Sequence, residues 1–309
     1  MKIITNALSS SPCVATIGFF DGVHKGHQYL IQQVQEVARA KRLKSMVITF
    51  YNHPQQILEK NYSPNLLTSF DEKISLLEKT GVDLCFPITF TNEFSHLTAA
   101  EFIRKYLHDI LQVKVLLMGF NHHFGYDDIS FSDCCKEGEK WGMEVMLSTE
   151  CNSFSEHICS SLLRDLIKEG DMSKYITLSG HRYNLKGIVI QGNQLGRKIG
   201  FPTANIDIKE TNKAIPLEGV YAVNIDIDGG KYIGMANIGR KPTIENNGEL
   251  SLEVHIIDFS KDIYGHIANI EFIKRIRSEK RFDSLAELSQ ALHKDLNEIK
   301  KIFEREDFL

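Results

Sequence analysis

Five short β-rich runs separated by four helix-length patterns constrain the first half of this chain more than any other feature. The runs are CVATIGFF (13–20), SMVITF (45–50), DLCFPITF (83–90), VKVLLMGF (113–120) and MEVMLS (143–148). Helical patterns lie at about 27–41, 70–80, 98–111 and 132–141. Runs that are apolar throughout suit strands buried on both faces, and strand–helix alternation suits parallel βαβ units. The first half is therefore expected to be an α/β domain on a parallel sheet, with its ligand beyond the carboxyl ends of the strands. The stretch GFFDGVHKGH (18–27) sits at such an end.

The pattern changes near 179–181. From there to about 273 the chain carries short alternating strands with Gly-rich turns: YNLKGIVIQG, GVYAVNIDIDGGKYIGMANIG, LSLEVHIIDF and IANIEFIKRI. Asp228-Gly229-Gly230 is a hairpin signal. These features predict a compact antiparallel β-barrel or sandwich, with the barrel preferred, followed by one helix from Ser284 to about Phe303. Ser284 and Glu287 fit a capping box, and Leu285, Leu288, Leu292, Leu296 and Ile299 mark an apolar face that would dock on the barrel. The expected domains are 1–178 and 179–309. A length of 309 residues agrees with two domains of roughly 150 each.

Composition removes several classes of function. A net charge of −4 gives no general surface for nucleic acid or membrane, leaving only a local basic site for a small anion. The N-terminus lacks the apolar core of a signal peptide, and no window approaches the ~20 apolar residues of a membrane span. The six cysteines show no CxxC spacing, so they read as reduced thiols of a cytoplasmic protein.

In GFFDGVHKGH, a strand end at Gly18 and Phe19 turns through Asp21-Gly22 and delivers His24 and His27 to a helix start. The amides there and the helix dipole favour an anion. Imidazoles at that place can donate to a triphosphate and to the charge that develops on it during transfer. Zinc would require further ligands from His53, His122 or His123, and a plain solvated turn is the third reading. Ser160, Ser161 and Arg164 offer hydroxyls and a guanidinium at another helix start, a second anion-binding pattern.

In the second half, GIVIQGNQLGRKIGFPTANI places Gly192, Gly196 and Gly200 ahead of Pro202-Thr203-Ala204-Asn205. Gly-rich loops let backbone amides approach phosphates, although turns also need glycine. A Thr203 hydroxyl and an Asn205 carbonyl two residues apart share one face of a strand and suit Mg²⁺ beside ATP. Glu253 is an acid in an apolar strand; it fits a general base, or simple alternation turns it outward together with His255.

The first half resembles the nucleotidyltransferase domain of the bifunctional riboflavin kinase/FAD synthetases. The resemblance rests on GFFDGVHKGH, TFYNHP (49–54), LLTSFDEKISLLEKTGVD (66–83), FSHLTAAEFI (94–103), MGFNHHFG (118–125) and ICSSLLRDLIKEGD (158–171). The second half resembles the riboflavin kinase domain in GRKIGFPTANI, GVYAV (219–223), GMANIGRKPTI (234–244), LEVHIIDFSKDIYG (252–265) and IRSEKRF (276–282). The resemblance implies that the second half phosphorylates riboflavin and the first transfers AMP from a second ATP to FMN, releasing pyrophosphate. It implies ATP contacts in the first half from Gly18, Phe19, Asp21, His24, His27, Asn121, Ser160, Ser161 and Arg164. For the kinase it implies ATP contacts from Gly192, Gly196, Gly200, Pro202, Thr203, Asn205 and Tyr264. Mg²⁺ falls to Thr203 and Asn205, the catalytic base to Glu253, and flavin contacts to His53, Arg277 and Phe282. His53 beside Pro54 also fits a turn, and Arg277 by itself belongs to a charge run.

The sequence departs from the family at Cys159, where a Ser is usual, at Ser161 for Thr, at Asn52 where proline is usual, and at His122 and His123. The expected partners are riboflavin, FMN and ATP; no protein partner is indicated. One rival, a nucleotidyltransferase acting on another phosphate acceptor such as phosphopantetheine, shares the HxGH pattern. Another, a flavin-binding regulator with spent catalysis, predicts loss of His24, His27, Thr203, Asn205 or Glu253, and all five are present.

Overall fold

A computed structural model describes residues 1–4, 11–59, 65–119, 125–149, 157–192, 195–208, 212–240 and 250–305. Contacts divide the chain into two units, Met1–Ser160 and Ser161–Leu309. No helix among the described residues is long and apolar enough to cross a membrane.

The first unit holds strands β1 (Lys2–Ile3), β2 (Cys13–Ile17), β3 (Lys44–Phe50), β4 (Leu84–Ile88), β5 (Val113–Met118) and β6 (Glu144–Leu147). They form one sheet in the order β1-β4-β3-β2-β5-β6, every pair parallel. All five residues of β2 are buried, as a central strand covered on both faces requires. The two-residue β1 is too short to leave a pattern in the sequence. From β2 the strand order runs outward both ways, through β3 and β4 on one side and β5 and β6 on the other. That reversal is where open α/β sheets bind ligands, and GFFDG follows β2 directly.

Helices Lys25–Lys41, Phe70–Lys79 and Phe131–Lys140 stand where periodicity puts them. The fourth differs: Ala99–Phe102 is α-helical and Ile103–Ile110 is a π-helix. Ile103, Leu107 and Leu111 are all buried, and a spacing of four does not separate the two helix types. Strands β2, β4 and β5 end two or three residues before their apolar runs do, and Gly18, Phe19 and Phe90 beyond them line a cavity.

In the second unit, β7 (Tyr183–Ile190), β8 (Ala204–Asp207), β9 (Gly219–Ile227), β10 (Gly230–Arg240), β11 (Leu250–Ile256) and β12 (Ile267–Arg277) close a barrel in the order β10-β11-β8-β7-β12-β9. All its pairs are antiparallel. The β9–β10 hairpin turns with φ of 52° at Asp228 and 79° at Gly229, the left-handed pair that a tight hairpin demands.

The C-terminal helix runs Leu285–Arg305. Leu292, Leu296 and Ile299 pack on the barrel with Phe201, Val220 and Ile273, while Leu285 is 61% exposed and does not dock. The capping box is shifted: the Ser284 hydroxyl accepts from the Glu287 amide, but the Glu287 carboxylate accepts from Asp283 rather than Ser284.

Candidate active sites

His24 is the N-cap of the helix Lys25–Lys41, and its Nδ1 accepts from the His27 amide at 3.3 Å. A neutral His24 therefore carries its proton on Nε2. The two imidazoles stack, with centroids 3.6 Å apart, and Phe20 meets His27 edge-on at 5.0 Å. Burial, then His24, then the Lys73 ammonium hold the pKa of His27 well below the ordinary value. Its Nδ1 is buried with no hydrogen-bond partner among the described residues. A proton there would be a buried unsatisfied donor, so the neutral ring keeps it on Nε2. Both rings thus hold an N–H donor for an incoming anion.

The loop before them is fixed from inside. The Asp21 carboxylate, 3% exposed, accepts from the amides of Leu67 at 3.0 Å and Thr68 at 3.2 Å. It is turned toward the protein and anchors the loop. Gly22, at φ 77°, donates to the Thr68 hydroxyl, and a Cβ there would meet Leu67 Cδ1 at 2.7 Å. Ser160 donates to the Asp21 carbonyl at 3.0 Å, which brings that hydroxyl to the loop. Ser161 and Arg164 follow on the helix Ser160–Glu169, Ser161 exposed and Arg164 half-buried, within the second unit. Asn121, with His122 and His123, lies outside the described residues.

Beside Gly18 and Phe19 opens an aromatic cavity of about 480 Å³, lined also by Phe50, Phe90, Phe94 and Tyr126. The Asn52 side chain donates to the Phe90 carbonyl and accepts from the Phe90 amide, both at 2.9 Å, so this departure from proline braces one wall. His53 caps the next turn, its Nδ1 accepting from Gln55, and its ring meets Phe19 at 4.6 Å. The turn and the site therefore share one histidine.

In the barrel, Asn205 on β8 stands directly across from Glu253 on β11, and the Thr203 hydroxyl donates to the Glu253 carboxylate at 3.2 Å. Three oxygen-bearing side chains thus meet: Thr203 and Asn205, hard neutral donors suited to Mg²⁺, beside the Glu253 carboxylate. His255 shares the face of Glu253 and lies 2.8 Å by Nδ1 from the Pro202 carbonyl, holding the start of PTAN. A cleft of about 610 Å³ adjoins them, lined by Pro202, Thr203, Arg197, Lys261 and Tyr264.

The glycines earn their place by close approach. A Cβ at Gly192 would fall 2.0 Å from Asn205 Nδ2, and one at Gly196 would fall 2.1 Å from the Phe201 carbonyl. Gly200 takes φ 83°. On the role that the resemblance implies for Asn205, Gly192→Ala is expected to displace that side chain and lower kcat/KM for Mg–ATP in riboflavin phosphorylation about tenfold or more, leaving FMN adenylylation unchanged, as paired steady-state assays would read.

Arg277 and Phe282 come together, the guanidinium 5.7 Å from the ring. Arg277 is, however, committed to Asp295 of the terminal helix, with Nη2 at 2.8 Å and Nε at 2.9 Å from one carboxylate oxygen. Asp295 is 4% exposed. Its signal in the sequence is an acid on the apolar stripe, three residues after Leu292.

A family model described as FAD synthetase matches residues 7–162, and one described as riboflavin kinase matches residues 179–303. The bifunctional riboflavin kinase/FMN adenylyltransferase of Listeria monocytogenes is 36% identical over 292 residues, covering 94% of this chain and 92% of its own length. That of Escherichia coli K12 is 37% identical over 305 residues, covering 96% of each. A crystal structure described as a macrolide-efflux protein from Streptococcus pneumoniae has a TM-score of 0.87 at 31% identity, covering 97% of this chain and 98% of that one.

Proposed function

Because this chain belongs to the bifunctional riboflavin kinase/FMN adenylyltransferase family, we propose that its two sites divide two successive reactions between Glu253 and the pair His24 and His27. The chain phosphorylates riboflavin to FMN with one ATP and adenylylates FMN to FAD with a second, releasing pyrophosphate. We draw the boundary of the catalytic halves at 178/179. The division of contacts falls earlier, at Ser160, because the helix Met172–Ser179 packs on β7 and β12.

In the kinase half, Glu253 takes the proton of the ribityl 5′-hydroxyl, whose oxygen attacks the γ-phosphorus of ATP. The observation that carries this is the meeting of Thr203, Asn205 and Glu253, with Thr203 also lining the adjoining cleft. Thr203 and Asn205 would hold Mg²⁺, which when bound neutralises phosphate charge. The glycines before them leave room for the nucleotide. Arg277, tethered to Asp295, shapes the segment that meets the flavin, and Phe282 supplies an apolar face.

In the other half, a phosphate oxygen of FMN attacks the α-phosphorus of ATP. His24 and His27 donate to the charge that grows on the phosphates, and Ser160, Ser161 and Arg164 are assigned to the same anion. The aromatic cavity beside Gly18 and Phe19 fits the planar flavin, with His53 packed edge-on against the Phe19 ring that lines it. We place the enzyme in the cytoplasm, where its free cysteines stay reduced.

Incubation of the purified chain with riboflavin and Mg–ATP, followed by chromatography, is expected to yield FMN and then FAD. Neither product would end the assignment, and FMN without FAD would limit the failure to the first unit.

A further inference from the structure

A lysine buried at the carboxyl end of the parallel sheet has no part in the assignments above. Lys73, on the helix Phe70–Lys79, is 2% exposed. Its Nζ donates to the Phe50 carbonyl at 2.7 Å and to the Phe19 carbonyl at 3.1 Å, and sits 4.1 Å from the centre of the Phe19 ring. The sequence places it among Phe70, Ile74 and Leu77 on an apolar helix face, where an ordinary surface lysine does not belong. A buried ammonium is costly to the fold, and such breaches of local rules gather at functional sites.

What this lysine holds is the loop that carries the histidines. Phe20 and Val23 are non-glycine residues in the left-handed region, at φ 56° and 36°. Such conformations persist only where their surroundings over-determine them. Here Lys73 and the Thr49 hydroxyl both donate to the Phe19 carbonyl, while Leu67 and Thr68 hold Asp21. His24 and His27 follow at once.

We propose that Lys73 is a positioning residue for adenylyl transfer: from the interior it fixes the Phe19 carbonyl, and through loop 18–24 the places of His24 and His27, with a positive charge behind them. Its charge is felt there, since it helps to hold His27 neutral. Asp21 and His27 face it from the segment after β2, and Cys85 from β4; Cys85 remains a thiol to about 12. Burial, offset by the Asp21 carboxylate, lowers the ammonium itself to about 8.

The test is steady-state FAD formation from FMN and Mg–ATP by full-length Lys73→Met, with kcat expressed per folded molecule from thermal unfolding of the full chain and riboflavin phosphorylation as the control for the second unit. We expect kcat to fall about 100-fold with both KM values changed by less than about threefold. Wild-type kcat should decline as pH rises past about 8, where the ammonium is lost, and the variant should be flat through that range. A lysine that only supports the fold would lower apparent kcat in step with the folded fraction and leave the pH profile of the remaining activity parallel to wild type. Wild-type kcat in Lys73→Met, or a profile parallel to wild type, overturns the proposal. Should Lys73→Met lose both activities, Thr49→Val removes only the second donor to Phe19 and is expected to lower kcat about threefold or more; an unchanged kcat there also overturns it. The proposal rests on His24 and His27 as phosphate donors, and the two fail differently. An active His27→Ala sinks that reading, whereas an active Lys73→Met beside an inactive His27→Ala sinks the lysine's role alone.

Discussion

Glu253→Gln is expected to lower kcat for riboflavin phosphorylation by about 10²–10⁴-fold, the usual worth of a general base, while supplied FMN is adenylylated at the wild-type rate. The substitution keeps the size and the acceptor oxygen of the side chain. The Thr203 hydroxyl can still donate to it, as it does now at 3.2 Å. Strand β11 also keeps its register, with position 253 opposite Asn205 on β8 and Asn237 on β10. What disappears is the ability to take a proton. Since Asn205 and Thr203 remain, Mg–ATP binding should change little, and the loss should appear in kcat rather than in KM for ATP. A variant retaining more than about a tenth of wild-type FMN formation would remove Glu253 as the base.

His27→Ala should give the opposite division: FAD formation falls about 10²–10³-fold, the cost of removing one preorganised donor to a developing charge, and FMN formation is untouched. The backbone argument favours a folded variant. The position 27 amide still donates to His24 Nδ1, so the N-cap survives, and alanine suits the first turn of a helix. The stacking partner of His24, 3.6 Å away, is lost with the ring. Because His27 is neutral in the free protein, wild-type FAD formation should not depend on a charge at this ring near neutral pH. Loss of both activities in a folded His27→Ala or Glu253→Gln chain would break the assignment of one reaction to each half.

Much of this was legible in the residues because it is local. Unbroken apolar runs announced a sheet covered on both faces, Asp228-Gly229 announced a left-handed hairpin turn, and GFFDGVHKGH announced a strand end feeding a helix start. His24 and His27, three apart, had to fall in one helix turn. Thr203 and Asn205, two apart, were expected to share a strand face, but β8 starts at Ala204 and Thr203 precedes it.

Other features depend on partners far away in the chain. No periodicity pairs Arg277 with Asp295, braces Phe90 from Asn52, or closes β9 onto both β10 and β12. Asp21 reads as a ligand contact in its motif, yet its carboxylate faces Leu67 and Thr68. Lys73 left one trace, a charge on an apolar helix face. The sequence by itself determined which residues lie together along one turn or one strand, since helix and strand periods are set by backbone geometry. Only the tertiary structure decided which buried polar groups meet, because a desolvated carboxylate, ammonium or carbonyl takes whichever partner the packed sheets and helices bring within about 3 Å.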